Sequence, residues 1–170
     1  MRGADGRTLW RAAVRLLARG GPVTVDELGV DAAELAGAPA GKDIEYDDQQ
    51  RIVGWGLTLV PTPHRFIVDG RLLYTWCAAD TLLFPAIIGR RAHVESVCPT
   101  TDTEIRLTVD PDTGVADLTP AAAVISLPPS SGWDASRIRN DCCNPGRFFA
   151  NAKAAADWRA RYPTGTVLPV

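Results

Sequence analysis

Two short stretches hold the residues best equipped for chemistry. "YTWCAAD", residues 74–80, places Cys77 three positions before Asp80 at the head of an apolar run, and "NDCCNPGRFF", residues 140–149, holds the adjacent pair Cys142 and Cys143. If a helix begins near Thr75, acting as its cap, positions 77 and 80 stand i and i+3 on one face. A thiol in a first helical turn sits where the helix dipole favours the thiolate. A carboxylate shielded by Trp76, Leu82, Leu83 and Phe84 has its pKa raised, so that it can take up and return a proton near neutrality. Cys77 and Asp80 together suit a proton shuttle. The alternative is that Asp80 caps the helix while Cys77 packs inward.

Adjacent side chains tend to diverge, so one of Cys142 and Cys143 points into any given site. A site made of that thiolate, Cys77 and Asp80 offers two soft sulfurs and one hard oxygen. Thiolates select soft, thiophilic metals, and two sulfurs in near-linear coordination suit mercury. Zinc wants four ligands, and the four cysteines (Cys77, Cys98, Cys142, Cys143) form no Cys-x-x-Cys knuckle, with only two histidines to help. The spacing therefore favours a reactive thiol site, or buried thiols packed as small apolar side chains, over structural zinc.

Bulk composition narrows the remaining classes. The chain has 170 residues, 46% apolar and 22% charged, which is ordinary for one globular domain, and its net charge is −2. No basic excess marks a nucleic-acid binder. Its longest apolar runs fall well short of the roughly 20 residues that span a bilayer. In the N-terminal segment arginines interleave with apolar residues, whereas a signal peptide segregates the two. The sequence implies a cytoplasmic protein whose thiols stay reduced, with no nucleic acid and no membrane among its partners.

The elements that must position the chemistry follow from periodicity. Leu9, Trp10, Ala13, Val14, Leu16 and Leu17 share one face of a helix over residues 7–20. Thr24 and Glu27 form a capping box for a short helix, and Asp31 starts another through Leu35. "IEYDDQQRIVGWGLTLVP" reads as strand, polar turn at 47–50, and strand. Three short helices and a hairpin are the pattern of a winged-helix module, yet the stretch from Val25 to Leu35 carries Asp26, Glu27, Asp31 and Glu34 and no basic residue. A recognition helix facing phosphates should be basic, so a structural or lid-like role is the better reading. A hairpin follows at Asp69-Gly70. A helix runs over 77–84, interrupted by Pro85. Three β-rich segments come next, "RAHVESVCP", "EIRLTVDP" and "AAAVISLP", with a turn at 110–114. After a loop and the cysteine pair, a helix runs from about Asn151 to Tyr162-Pro163. The fold class is α+β: a winged-helix-like helical module over residues 1–60, then a mixed sheet with flanking helices over 61–170 that carries the cysteines.

With these motifs in place, the chain resembles the organomercurial (alkylmercury) lyases. The resemblance runs through "GWGLTLVPTPHRF", "LYTWCAADTLLFPAIIGRRAHVES", Cys98 and "CCNPGRFFANAKAAADW". Its most specific part is Cys-x-x-Asp followed by an apolar run and Phe-Pro-Ala-x-x-Gly-Arg. The resemblance implies protonolysis of a carbon–mercury bond by two cysteines and an aspartate. Cys77 and Asp80 match the first cysteine and the aspartate. Cys143, five residues before the Phe-Phe pair, matches the second cysteine, with Cys142 one residue away as the other register. Cys98 matches a non-catalytic cysteine with a packing role. The implied partners are an organomercurial substrate, bound as metal by Cys77, Cys143 and Asp80, and cytosolic thiols or a mercuric reductase as acceptor of Hg(II). The implied chemistry uses no organic cofactor. Trp76, Phe84 and Phe148 are candidates for an apolar wall, or else for the core. The turn "NPGR" replaces a more histidine-rich stretch, which implies a changed substrate pocket. Three other functions fit parts of the pattern: a thiol-based sink for soft metals, a lyase for another carbon–heteroatom bond, and a winged-helix metal sensor.

Overall fold

In the computed structural model, residues 6–37, 43–129, 131, 134 and 136–170 are described. Helix α1 (Gly6–Leu17) buries Leu9, Ala13, Val14 and Leu17, the stripe that its 3.6-residue period dictates. A 3₁₀ turn (Asp26–Leu28) and α2 (Ala32–Gly37) follow. At the first of these, Thr24 and Glu27 make the expected reciprocal cap: the Thr24 amide donates to Glu27 at 2.8 Å and the Glu27 amide to the Thr24 hydroxyl at 3.4 Å. Asp31 caps α2 by accepting the Glu34 amide at 2.7 Å.

Strands β1 (Glu45–Tyr46), β2 (Ile52–Trp55), β3 (Leu57–Thr58), β4 (His64–Val68), β5 (Arg71–Thr75), β6 (Ala92–Val97), β7 (Glu104–Asp110) and β8 (Gly114–Thr119) form one sheet. Its order is β1-β2-β3-β5-β4-β6-β7-β8. A second sheet places β9 (Val124–Leu127) between β10 (Phe148–Phe149) and β11 (Thr166–Pro169). The mixed sheet expected from the sequence is not what forms: these strand pairs are antiparallel throughout. The tight turns at Asp69-Gly70 and after Asp110 close hairpins, whereas parallel pairing needs a crossover of a dozen or more residues. Strands on either side of residue 60 belong to the same sheet, since β3 pairs with β5.

Helix α3 (Ala78–Ile88) lies against this sheet. Pro85 does not interrupt it: the proline forfeits one backbone hydrogen bond, while buried Phe84 and Ile87 hold the helix on the sheet as far as the left-handed cap at Gly89. Nor is Thr75 the N-cap, because Cys77 occupies that position and the Thr75 hydroxyl instead donates to the Cys77 carbonyl at 2.8 Å. Strand β8, absent from the sequence reading, is an edge strand with nearly every residue exposed, so no apolar alternation announces it. The last helix, α4 (Ala156–Arg161), starts later than expected, because Asn151 caps a preceding turn by accepting the Ala154 amide at 3.0 Å.

Helix α1 is bound to the rest by specific bonds. The Trp10 indole donates to the Trp55 carbonyl at 3.0 Å, and Arg15 donates to the Ile87 carbonyl at the end of α3 at 2.9 Å. Gly56 sits where they converge, with φ +88°; a Cβ there would lie 3.0 Å from the Phe84 ring and 3.4 Å from Trp10. Only glycine combines that dihedral with so close an approach.

Candidate active site

Strand β5 ends by delivering Cys77 into the extended conformation (φ −138°, ψ 168°) that an N-cap requires. Cys77 and Asp80 then form a capping box: the Cys77 amide donates to the Asp80 carboxylate at 3.3 Å, and the Asp80 amide donates back to the Cys77 sulfur. The capping role expected of Asp80 is therefore present, and the carboxylate that caps α3 is the one beside the thiol.

Cys143 arrives from the opposite side, on a single π-helical turn (Arg139–Cys143) closed by the Asn144 amide on the Arg139 carbonyl at 2.8 Å. Gly146 brings this segment onto α3. Its carbonyl accepts the Ala78 amide at 3.1 Å, and a Cβ at Gly146 would lie 3.2 Å from the Cys77 Cβ. Beyond it, Phe148 and Phe149 are buried and pair with β9. The result is that one ligand atom each from Cys77, Asp80 and Cys143 lies within 4.8 Å of the others. Cys142 lies outside that group and is half-buried, although its thiol is in hydrogen-bond contact with that of Cys143. Cys98 is fully buried in the core, away from the cluster.

The cluster opens into a cavity of about 350 Å³ lined by Gly6, Arg7, Trp10, Asp43, Trp55, Gly56, Trp76, Asp80, Ile138 and Cys143. Of the aromatic residues proposed for an apolar wall, Trp76 lines it, while Phe84 and Phe148 are buried in the core. Leu83, expected to shield the pair, is 46% exposed, whereas Trp76 and Phe84 are buried as expected, and Trp10 and Trp55 line the cavity beside Trp76. Those two residues, with Asp43 and Ile138, were not legible as site residues. They are distant in sequence and of types that equally build cores.

Burial pushes Asp80 up to about 6, against the opposing pull of its hydrogen bonds with Cys77. Contact with Cys143 alone would lower the Cys77 pKa, but burial and the Asp80 charge outweigh it and Cys77 stands above an ordinary thiol. Cys143 is raised by its contacts with Cys142 and Cys77, by burial and by Asp80. Cys142 is lowered, because Cys143 donates to it. The resting site thus holds protonated thiols on Cys77 and Cys143 beside a carboxyl that titrates near neutrality. Such an arrangement can move a proton from sulfur to oxygen once a metal claims the sulfur.

The alkylmercury lyase family model matches residues 57–170. The chain is 49% identical over 168 residues to a Streptomyces lividans protein named alkylmercury lyase, covering 95% of this chain and 76% of the relative. It is 43% identical over 170 residues to the Staphylococcus epidermidis protein of the same name, with the same coverage, and 42% identical over 177 residues to that of Bacillus cereus. Its fold matches the crystal structure of the mercury-bound form of MerB2 with a TM-score of 0.77 at 22% identity, over 99% of this chain and 86% of that one. On this similarity, resting on the whole chain rather than on one motif, the protein belongs to the alkylmercury lyase family of enzymes.

Proposed function

We propose that the protein cleaves carbon–mercury bonds by protonolysis, with Cys77 and Cys143 as the mercury-binding thiolates and Asp80 as the proton carrier. The observation that carries this reading is the cluster itself: two thiols and one carboxyl within 4.8 Å, at the wall of an apolar cavity. The organomercurial enters with its organic group against Trp10, Trp55 and Trp76. One thiol displaces the substrate's thiolate or other leaving ligand, which departs with that thiol's proton. The other thiol gives its proton to Asp80 as its sulfur bonds mercury. Two sulfur donors push electron density onto the metal and weaken the bond to carbon. Asp80 then protonates the carbon; the carbon–mercury bond breaks, its electron pair forms the new C–H bond, and a hydrocarbon leaves. Mercury(II) remains on the two sulfurs until external thiols take it by exchange, either small cytosolic thiols or those of a mercuric reductase.

Each step draws on groups of the protein and the substrate, so no organic cofactor enters the scheme. The scheme needs free thiols at the site, and the free cysteines there support a reducing, cytoplasmic setting for it. Among the described residues no helix is long and apolar enough to cross a membrane. We assign residues 1–60 the part of a winged-helix-like cover over the catalytic portion at 61–170. Helix α1, the 3₁₀ turn, α2 and the β1–β2 pair follow in that order, and Trp10 lines the cavity.

Single-turnover assays with methylmercury or phenylmercury and excess thiol, following methane or benzene by gas chromatography, test the assignment. Hydrocarbon formation is expected to fall at least about a hundredfold in Cys77→Ala, Cys143→Ala and Asp80→Asn. It should persist in Cys142→Ala. Tight mercury binding without hydrocarbon from the unmodified protein would instead mark a metal sink.

A further inference from the structure

The π-helical turn that carries Cys143 is tied to the far edge of the sheet through one carboxylate. Glu45, on edge strand β1, has a side chain only 14% exposed. Its Oε2 accepts the Trp76 indole N–H at 3.0 Å and the Thr58 hydroxyl at 2.6 Å, while Oε1 takes the Arg139 guanidinium in an ion pair. Arg139 in turn lies over the Trp76 ring, 5.0 Å from its centroid. The Arg139 amide donates to Asp43 at 3.0 Å, so the first residue of the π turn is held at both backbone and side chain. Gly54 makes room for this hub: a Cβ there would fall 1.9 Å from Glu45 Oε2.

The arrangement joins two walls of the cavity. Trp76, the residue before Cys77, is fixed at its indole N–H and stacked under Arg139. Cys143 is four residues beyond Arg139 on the same turn. Resting on the lyase reading above, we infer that Glu45 and Arg139 are positioning residues: their ion pair sets the Cys77–Cys143 sulfur separation and the orientation of the Trp76 wall. Both sulfurs must reach one mercury atom, so an error of about 1 Å in the π turn is enough to cost on the order of a hundredfold in rate. Nothing in the pair touches the reacting atoms. Removing the Glu45 charge leaves Arg139, one-third exposed, free to turn toward solvent and to release the turn.

The test uses the full chain with Glu45→Gln, Arg139→Gln, the double variant, Arg139→Lys as the conservative replacement, and Arg137→Gln as a control. Arg137 makes an exposed ion pair with Asp141 at 4.0 Å on the same segment. Two readouts are needed: kcat and KM for methylmercury and phenylmercury, and affinity for Hg(II) from the thiolate-to-mercury charge-transfer absorption under thiol competition. We expect Glu45→Gln and Arg139→Gln each to lower kcat about tenfold to a hundredfold, with KM changed less for methylmercury than for phenylmercury. Hg(II) affinity should fall about tenfold in both. The double variant should be no worse than the worse single one, Arg139→Lys should recover part of kcat, and the control should match wild type. Wild-type kcat and wild-type Hg(II) affinity in both single variants would overturn the inference, as would additive losses in the double. If the unmodified protein yields no hydrocarbon, the lyase reading fails, and the Hg(II) affinities still decide whether the pair sets the sulfur geometry.

Discussion

Asp80 is held where stability would not put it. Its carboxyl titrates at about 6 because it is buried, while the proposed mechanism needs its charged form to accept a proton from a thiol. Two consequences follow. The rate should rise with pH through about 6, as Asp80 loses its proton and becomes able to take one, giving kcat/KM an acid limb there; a limb near 4 would remove Asp80 from that role. The stability effect has the opposite sign. A carboxyl whose folded pKa is raised contributes stability that is fully present below its unfolded value and is lost as pH rises through the folded one. At pH 7 the ionised Asp80 is therefore a net cost, and Asp80→Asn, which can still cap α3, should be inactive yet more stable by up to about 3 kcal/mol. That gain should vanish near pH 4, and thermal melts at the two pH values measure it. Gly146 carries a different demand. A methyl group there meets the Cys77 Cβ at 3.2 Å and the carbonyls of Cys142 and Cys143 at 3.4 Å. Gly146→Ala should lower kcat about tenfold by moving one sulfur against the other, with little change in melting temperature.

At the scale of elements, the parts legible in the sequence were those whose signal is local. The apolar stripe of α1, the Thr24–Glu27 cap, the Asp69-Gly70 hairpin and the Cys77–Asp80 pair each depend on neighbours within four residues, and each is present. What was not legible depends on distant partners. Pro85 stays helical because Phe84 and Ile87 are held by the sheet. Edge strand β8 is specified by its partner β7 and not by its own exposed side chains. The π turn has no local signature that separates Cys142 from Cys143; its first residue, Arg139, bonds Asp43 and Glu45, some ninety residues earlier. Gly56 is the clearest meeting of elements, because α1, α3 and the sheet close on it. Gly56→Ala should cost about 1–3 kcal/mol through its positive φ and the 3.0 Å approach to Phe84. It should lower the melting temperature by several degrees. An unchanged melt would mean that α1 is not packed there.

For the molecule as a whole, the question is whether residues 1–60 form a separable cover or part of one folding unit. Strands β1 to β3 continue the sheet that β4 to β8 complete, and the core runs without a break from Leu9 to Trp158. Trp10 and Arg15 add hydrogen bonds from α1 to the Trp55 and Ile87 carbonyls. A cover attached in this way cannot open by rigid rotation without breaking the sheet or exposing the core. Unfolding should then be a single transition, with near-ultraviolet and far-ultraviolet dichroism coinciding across a urea titration. Trp10→Ala is the sharper test, because the half-buried indole lines the cavity and holds α1 down. It should shift the one midpoint to lower urea by about 1–3 kcal/mol equivalent, keep the slope, and raise KM for phenylmercury more than for methylmercury. Two separated transitions in that variant would show that the N-terminal segment detaches on its own. One shifted transition with an altered KM would show that the contact closing the substrate cavity also holds the fold together, so that the cover cannot be lost without the enzyme.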